Sequence, residues 1–279
     1  MPADAGVGRC AACGMVGASP WASISDWQYV ECSGCGLVRL DPMPTAAEAA
    51  QLYDTSYFTD SAQRGYAGYV ADERIHRLNA RRHLRRLASA GAQPPGQLVE
   101  VGAAAGFLLD EARRQGWSVA GTDVAPSMRS SARELHRIEL AAAVGELDVS
   151  PAGVDVAVAK QVLEHIVDPL TLLGDLRLRM RPGGLLSIET WDRGARVARL
   201  FGTRWQQVNP PSVLWLWDAE QLRRVVERAG FDVVRCRPAL KLVSVATVAG
   251  QLGRVGGFGR MPLPYRLGDL VVLIGRVPA

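Results

Sequence analysis

The sequence has no long apolar run. A helix needs about eighteen apolar residues to cross a bilayer, and no apolar stretch in the 279 residues approaches that length. The first residues, Met1 to Asp4, also lack the basic and apolar regions of an export signal. The net charge of +4 is too small to require a nucleic-acid partner. We therefore expect a cytoplasmic protein with no membrane contact, long enough to bury a full core.

Cysteine is scarce, with five residues in the chain, but four of them form two close pairs. Cys10 and Cys13 make one Cys-x-x-Cys knuckle, Cys32 and Cys35 make the other, and 18 residues separate the pairs. This spacing is typical of a zinc ribbon, in which four thiolates bind one structural zinc ion. Two disulfides or four unmetallated thiols are the alternatives, and a reducing cytoplasm disfavours them. Residues 1–40 are therefore predicted to form a zinc-ribbon module.

Residues 41–90 are predicted to form a helical linker or lid. Thr45 and Glu48 have the spacing of a capping box that opens a short helix. A longer helix is predicted from Asp72 to Ala90, and its arginines recur on one face. That face could hold phosphates or nucleic acid, but we favour a solvated surface, because arginine is a strong helix former. The arginines are Arg74, Arg77, Arg81 and Arg85, with Arg82 and Arg86 nearby.

From residue 91 to 279, strand-like and helix-like segments alternate. This rhythm is typical of an α/β domain built on a mostly parallel sheet. The expected strands span residues 97–101, 118–122, 155–159, 185–190, 231–236 and 270–274. The expected helices span residues 107–115, 127–135, 169–180 and 218–229.

The most informative stretch runs from Gln97 to Asp123. The first strand ends just after Glu100, and a loop bounded by Gly102 and Gly106 follows. Glycines let the backbone approach a ligand closely, and a carboxylate at the end of the second strand can accept both ribose hydroxyls. The loop is filled by three alanines, and the Gly-x-Gly-x-x-Gly and P-loop patterns are absent from it. We therefore expect a nucleoside ligand without a phosphate chain.

Several motifs, in order, resemble those of the class I S-adenosylmethionine-dependent methyltransferases over roughly residues 95–240. Glu100 to Gly106 fits the first motif of that family except at Ala104, where the family often has glycine. Asp123 matches its ribose-binding acid. Lys160 to Pro169 resembles the Leu-Glu-His-x-x-Asp-Pro signature of its small-molecule members. The resemblance implies a Rossmann-like α/β sheet that binds S-adenosylmethionine. The residues implied for the cofactor are Glu100, Gly102, Ala103, Ala104, Gly106, Phe107, Asp123, Val124, Met128, Glu146, Leu147, Lys160 and Gln161.

The resemblance also implies methyl transfer to a nucleophile. A hydroxyl nucleophile must lose its proton, and His165 is the candidate base because an imidazole can accept a proton near neutral pH. Glu164 is the candidate to orient the imidazole. The alternative is that both side chains only hydrogen-bond the backbone of a strand-to-helix turn. Metal-assisted catalysis is not expected, since no further acidic ligand is evident.

The acceptor pocket is expected outside the core sheet, beneath an aromatic cover near residues 191–217. Four of the seven tryptophans fall in that range. Trp191 and Trp205 are the substrate candidates there, and Tyr57 and Tyr66 could close the pocket from the N-terminal side. For any one of these aromatic residues, core packing is the alternative.

The expected function is methylation of a small molecule, a sugar or a secondary-metabolite intermediate, with oxygen as the preferred acceptor. RNA methylation is the alternative, since certain ribosomal guanine methyltransferases also carry an N-terminal zinc module, and the arginine face would then contact phosphates. A third possibility is a nucleoside-binding module that has lost catalysis, for which Ala104 is the only hint. The acceptor, the methylated atom and the oligomeric state stay open.

Overall fold

The computed structural model describes residues 9–52, 69–245 and 261–279. The strands in these ranges are β1 (Ala18–Ile24), β2 (Trp27–Cys32), β3 (Val38–Asp41), β4 (Gln97–Val101), β5 (Ser118–Thr122), β6 (Val154–Lys160), β7 (Met180–Trp191), β8 (Trp215–Leu216), β9 (Asp232–Pro238), β10 (Lys241–Ser244), β11 (Pro262–Tyr265) and β12 (Leu270–Arg276). The helices are α1 (Ala46–Gln51), α2 (Glu73–Ser89), α3 (Phe107–Arg114), α4 (Pro126–His136), α5 (Pro169–Arg179), α6 (Arg196–Phe201) and α7 (Ala219–Arg228). None of the helices in this part of the chain has the length and apolar character of a membrane span.

The largest sheet has six strands in the order β5-β4-β6-β7-β12-β9. β5, β4, β6 and β7 run parallel, whereas β12 is antiparallel to both of its neighbours. The expected α/β sheet is therefore confirmed. The register aligns Val101 with Thr122 on one side and with Ala159 on the other. The glycine loop after β4, the acid after β5 and the turn after β6 consequently meet at one edge of the sheet.

Local sequence explains where these elements begin. β6 is apolar on both faces, as a central parallel strand must be, and residues Val156 to Ala159 are buried. The predicted capping box opens α1: the Glu48 N–H donates to the Thr45 hydroxyl, and the Thr45 N–H donates to Glu48 Oε2 at 2.8 Å. Asp218 and Gln221 form a second capping box at the start of α7. Each box satisfies N–H groups that the helix itself leaves without partners.

The N-terminal cysteine region, residues 10–41, is named the cysteine module below. β1, β2 and β3 form an antiparallel sheet, and β8 adds to it by pairing with β3. Tyr29 and Leu40 of the module are fully buried in the same hydrophobic core as Leu186 and Ile188 of β7. The cysteine module and the α/β domain therefore share a core. The boundaries expected for the three segments of the chain stay predictions.

One arginine of the α2 face, Arg77, is used inside the protein. Arg77 is only 14% exposed and donates to Glu73 at 2.6 Å, to Asp110 at 2.8 Å and to Glu111 at 2.9 Å. Arg81 donates to Glu111 at 2.7 Å. Asp110 and Glu111 are buried on α3, and these arginines supply counter-charges to both carboxylates; Arg113 and Arg114 also pair with Asp110. The expectation of a simple solvated face is wrong for Arg77, because its partners Asp110 and Glu111 lie some thirty residues away in the sequence, whereas Arg81 keeps 46% of its side chain exposed.

Replacing Arg77 with methionine should lower the free energy of unfolding by about 3 kcal/mol, because the buried carboxylates lose a shared partner. Arg85→Met is the matched control, since Arg85 is exposed on the same helix and should change stability by less than about 0.5 kcal/mol. Urea denaturation of both variants at neutral pH measures the difference. Equal stability of Arg77→Met and the wild type would show that these ion pairs contribute nothing net.

Candidate active site and cysteine cluster

The loop between β4 and α3 folds back against the end of β5. Gly102 and Gly106 have φ angles of 66° and 79°, which glycine adopts without strain, and a Cβ on Gly102 would collide with the Val162 side chain. Ala104 also has a positive φ, of 47°, which is uncommon for a residue with a Cβ. Its N–H donates to Asp123 Oδ2 at 2.7 Å. Ala104 thus adopts the left-handed backbone that glycine adopts readily, so the alanine does not prevent the loop from forming.

Asp123 joins the loop to the start of α4. Its Oδ2 accepts from the Ala104 N–H, and its Oδ1 accepts from the Ala125 N–H at 2.9 Å. Burial raises the pKa of this carboxyl above its ordinary value, and the two N–H groups offset part of the shift. Each oxygen keeps a further lone pair, so the carboxylate can still accept from ribose hydroxyls.

Glu100 is a buried carboxyl just before the loop. Glu100 is only 4% exposed, and its Oε2 has no hydrogen-bond partner in the described part of the chain. Burial raises the pKa of Glu100 to about 8; Lys160 opposes the shift, and the negative charges of Asp123 and Glu189 add to it. The folded chain therefore favours the neutral acid near pH 7.

Replacing Glu100 with glutamine should stabilise the ligand-free protein at about pH 8 and have little effect at about pH 4. The folded pKa lies above the ordinary value of 4.5, so the wild type loses stability as the pH rises from that value toward 8. Glutamine does not titrate, and the stability difference should grow by more than about 1 kcal/mol across this window. Urea denaturation at several pH values measures it, with Glu134→Gln, on an exposed residue, as the control. A difference that does not vary with pH would contradict the raised pKa.

Charged side chains cluster at the ends of β6 and β7. The buried Glu189 has His83 Nδ1 at 3.8 Å and Arg86 Nη1 at 3.6 Å from its Oε2. Burial alone would raise the pKa of Glu189, but His83 and Lys160 lower it to about 2. The Gln161 N–H donates to the Glu189 carbonyl at 2.6 Å. The expected cofactor residues Lys160 and Gln161 therefore lie beside an ionised carboxylate at the same edge of the sheet.

A stack of rings packs on Phe107, the first residue of α3. His76 of α2 contacts both Tyr69 and Phe107, with ring centroids 4.0 Å and 5.4 Å away, and the Tyr69 and Phe107 centroids are 6.0 Å apart. Burial lowers the pKa of His76 to about 3, and the charges of Lys241 and Lys160 add to the shift. Phe107 was expected at the cofactor site, whereas His76 was not singled out, because it lies among the arginines of a helix interpreted as a basic surface.

The other residues expected at the cofactor site differ in exposure. Ala103 and Met128 are buried, Val124 and Glu146 are exposed, and Leu147 is half-buried. Glu146 Oε2 accepts from the Ala142 N–H at 3.1 Å. Their contacts with a cofactor stay predictions.

Glu164 and His165 lie in a 3-10 turn, Leu163–His165, directly after β6. The His165 Nδ1 is hydrogen-bonded to the carbonyl of Ser212. A carbonyl can only accept, so Nδ1 carries a proton, and in the neutral ring Nε2 then carries the lone pair. The Glu164 carboxylate accepts from the Thr190 hydroxyl at 2.8 Å, and burial raises its pKa. The hydrogen bond that orients the imidazole therefore comes from Ser212, which no sequence pattern indicated.

The tryptophans of the expected cover come together at the end of β7. They line a small space that Glu164 and Thr190 also line. The Trp215 and Trp217 rings stack with centroids 5.4 Å apart. Trp205 is buried, and its Nε1 donates to Asp269 at 2.9 Å. The residues that line the space are Glu164, Thr190, Trp191, Trp205, Gln207, Val213, Trp215, Leu216 and Trp217.

Trp191 is the half-buried member of this group and contacts β10 through Lys241 and β11 through Tyr265. Lys241 Nζ lies 5.8 Å from the centre of the Trp191 ring and donates to Gln161 Oε1 at 2.7 Å. Lys241 thus connects the expected substrate and cofactor regions, although its sequence context gave no signal. The substrate candidates Tyr57 and Tyr66 lie outside the described residues.

The four paired cysteines bring their sulfurs together in the cysteine module. All four Sγ atoms lie within 4.8 Å of one another, with Cys10 and Cys35 at 3.5 Å and Cys13 and Cys32 at 3.6 Å. Bonded sulfurs would be about 2.05 Å apart, so the four cysteines are free thiols rather than disulfides. Sulfurs about 2.3 Å from a tetrahedral zinc ion would be about 3.8 Å apart. The arrangement therefore fits a four-coordinate zinc ion.

Residues 71–235 match a family model described as a methyltransferase domain. A ubiquinone biosynthesis O-methyltransferase of Xanthomonas campestris is 28% identical over 161 residues, which are 55% of this chain and 66% of the relative. Its counterpart in Vibrio cholerae is 25% identical over 238 residues, which are 81% of this chain and 91% of the relative.

A solved structure of similar fold comes from a complex between the Haloferax volcanii Trm112 methyltransferase activator and a putative methyltransferase. Its TM-score is 0.57 at 17% identity, and the match covers 76% of this chain and 96% of that chain. The family model covers more than half of the sequence, and its range contains the glycine loop, Asp123 and the His165 turn. The chain therefore belongs to the methyltransferase-domain family and is a class I S-adenosylmethionine-dependent methyltransferase.

Proposed function

We propose that this enzyme transfers a methyl group to a hydroxyl oxygen of a small molecule, a sugar or a secondary-metabolite intermediate. The observation that carries the proposal is the hydrogen bond between His165 and Ser212, which leaves the lone pair of the neutral ring on Nε2. The names of the curated relatives, O-methyltransferases of ubiquinone biosynthesis, support oxygen as the acceptor.

The edge where β4, β5 and β6 end is the proposed cofactor site. When bound, S-adenosylmethionine supplies a methyl group on a positively charged sulfur. The loop from Gly102 to Gly106, which is left-handed at Gly102, Ala104 and Gly106, allows close backbone approach, and Asp123 accepts from the ribose hydroxyls. The other residues proposed to contact the cofactor are Glu100, Ala103, Phe107, Val124, Met128, Glu146, Leu147, Lys160 and Gln161.

His165 is the proposed general base. Methyl transfer needs the acceptor oxygen in line with the methyl group and its leaving sulfur, so positioning supplies much of the rate acceleration. Nε2 of His165 would take the hydroxyl proton as the oxygen attacks. The Glu164 carboxyl, adjacent in the same turn, would stabilise the imidazolium that forms.

The acceptor is proposed to bind beside this turn, against the tryptophans at the end of β7. Trp191 and Trp205 line the same space as Glu164, which supports a pocket next to the proposed base. Aromatic walls with few polar groups suit the apolar face of a ring substrate.

Zinc is the metal proposed for the four cysteines. The distances between their sulfurs support tetrahedral thiolate coordination, and four thiolates leave no open position for a reacting water. The ion would therefore be structural.

RNA as the substrate has less support. Its sequence argument combined the N-terminal zinc module with the arginine face of α2, and Arg77 and Arg81 of that face are ion-paired with Asp110 and Glu111. Methyl incorporation from labelled S-adenosylmethionine should therefore reach hydroxylated small molecules rather than ribosomal RNA. RNA binding that weakens by orders of magnitude between about 50 and 200 mM salt would instead favour the RNA alternative.

Replacing Asp123 with asparagine should weaken S-adenosylmethionine binding by about 10- to 100-fold, because the amide nitrogen cannot accept from a loop N–H or a ribose hydroxyl. Isothermal titration calorimetry measures the dissociation constant. Asp232→Asn, on an exposed residue at the start of β9, is the control and should bind like the wild type. Undiminished affinity in Asp123→Asn would contradict the proposed cofactor site.

A further inference from the structure

The cysteine module contacts the proposed catalytic turn through one short segment, residues 212–216. The Leu40 N–H donates to the Leu214 carbonyl at 2.8 Å, and the Leu214 N–H donates to the Glu164 carbonyl at 2.8 Å. Leu214 therefore connects the module on one side with the catalytic turn on the other. The pairing of β3 with β8 extends this contact along the segment.

Tyr29 makes a second contact with the same segment. It is fully buried in β2, and its hydroxyl donates to the Val213 carbonyl at 2.6 Å. That carbonyl follows directly after the Ser212 carbonyl, which orients His165. The two carbonyls belong to adjacent planar peptide units that meet at the Val213 Cα, so a displacement of the Val213 peptide also displaces the Ser212 peptide.

A third contact joins the segment to the end of the catalytic turn. Trp215 Nε1 donates to the carbonyl of Ile166, the residue after His165, at 2.8 Å. Residues 164, 165 and 166 are thus each hydrogen-bonded to the segment that the module holds. On the side of the segment, these hydrogen bonds use the Ser212 carbonyl, the Leu214 N–H and the Trp215 ring. The position of each of these groups depends on where the segment lies.

β2 and β3, the two module strands that hold segment 212–216, flank the second Cys-x-x-Cys knuckle. Cys32 is the last residue of β2, and β3 begins three residues after Cys35. The Cys32 N–H donates to the Leu37 carbonyl at 2.9 Å across the knuckle. A metal ion bound by the sulfurs would fix the angle between these strands, and with it the positions of Tyr29 and Leu40.

We propose that the cysteine module is a positioning element of the active site. Metal bound by the four thiols holds segment 212–216 in place, and the segment holds the His165 imidazole in its Nδ1-protonated orientation. Tyr29 is the positioning residue that transmits this constraint. The importance of the orientation for methyl transfer rests on the proposed role of His165 as the base, whereas the coupling itself can be observed without turnover.

The tautomer of His165 is the readout. The chain has four histidines, so nitrogen-15 NMR of histidine-labelled, metal-loaded protein can resolve each imidazole. Tyr29→Phe keeps the ring and removes one hydrogen bond, which is worth about 1 kcal/mol, or about fivefold in an equilibrium. The ratio of Nδ1- to Nε2-protonated His165 should therefore fall about fivefold in this variant, with the signals of His136 unchanged.

Glu31→Gln is the matched control. Glu31 lies two residues from Tyr29 on β2, and its contact with the α/β domain is an ion pair with Arg193 at 3.4 Å. This pair does not involve segment 212–216, so the variant should leave the His165 signals as in the wild type. Shifted His165 signals in Glu31→Gln equal to those in Tyr29→Phe would overturn the specific role of Tyr29.

Chelation of the metal from the full chain should change the His165 signals in the same direction. Near-UV circular dichroism follows the fold during the titration. If metal release unfolds the chain, the nitrogen-15 NMR spectrum of the metal-loaded Tyr29→Phe variant provides the test instead. A His165 tautomer ratio unchanged in Tyr29→Phe would overturn the proposal. The role of His165 as the base is tested separately. Full turnover by a His165 variant would show that His165 is not the base, but the tautomer shift in Tyr29→Phe would be unaffected.

Discussion

Replacing His165 with glutamine should lower kcat for methyl transfer by about 10²- to 10⁴-fold, the usual contribution of a positioned general base. Glutamine can still hydrogen-bond the Ser212 carbonyl but cannot accept a proton from the acceptor hydroxyl. The affinity for S-adenosylmethionine should stay at the wild-type value, because the loss concerns proton transfer. Steady-state kinetics with a hydroxylated acceptor that the wild type methylates, and calorimetry with the cofactor, separate the two effects.

His165→Ala provides the control for this interpretation. It leaves a space that added imidazole can enter, so turnover should recover in proportion to the imidazole concentration, whereas His165→Gln should not respond. Circular dichroism checks that both variants keep the fold. Wild-type turnover by either variant would show that His165 only hydrogen-bonds the backbone, which was the alternative that the sequence allowed.

Replacing Cys32 with serine should abolish stoichiometric zinc binding and unfold the cysteine module. Structural zinc sites supply about 10–16 kcal/mol of binding free energy in small zinc-finger peptides, and that energy is available only to the folded state. The module shares its core with the α/β domain, so the loss should lower Tm for the whole chain by more than about 10 °C. Metal analysis and thermal unfolding followed by circular dichroism measure both changes.

Cys236→Ser is the matched control for the loss of a thiol. Cys236 is half-buried in β9 and lies outside the four-cysteine cluster. This variant should keep its zinc and change Tm by no more than a few degrees. Zinc retained at full stoichiometry in Cys32→Ser would contradict the four-thiolate site, and an unchanged Tm would contradict a structural role for the ion.

Elements whose signals are local followed from the sequence. The capping box of Thr45 and Glu48 is complete within four residues, and it opens α1 as expected. β4 and β5 have the predicted bounds, because a short apolar run between turn residues is sufficient to define a strand. The two Cys-x-x-Cys knuckles are local turns as well, so their spacing alone predicted that four sulfurs would meet.

The arginine helix shows where such reasoning ends. The spacing of Arg77 and Arg81 correctly predicted a shared face of one helix, but it contains nothing about what faces that helix. Their carboxylate partners lie on α3, at Asp110 and Glu111, and these were brought there by the packing of α2 on the α/β domain. Periodicity identifies a face, and only tertiary contact decides whether water or another helix covers it.

The sequence by itself predicted the α/β fold, a nucleoside ligand and the cysteine cluster, because strand periodicity, glycine loops and knuckle spacing depend on residues near one another in the chain. Only the tertiary structure decided how His165 is oriented, since its partner Ser212 lies 47 residues away. The same holds for the link from Leu40 through Leu214 to Glu164, which needs the cysteine module, segment 212–216 and the turn after β6 to pack together. Contacts between distant segments depend on the shared core, and no local pattern encodes them.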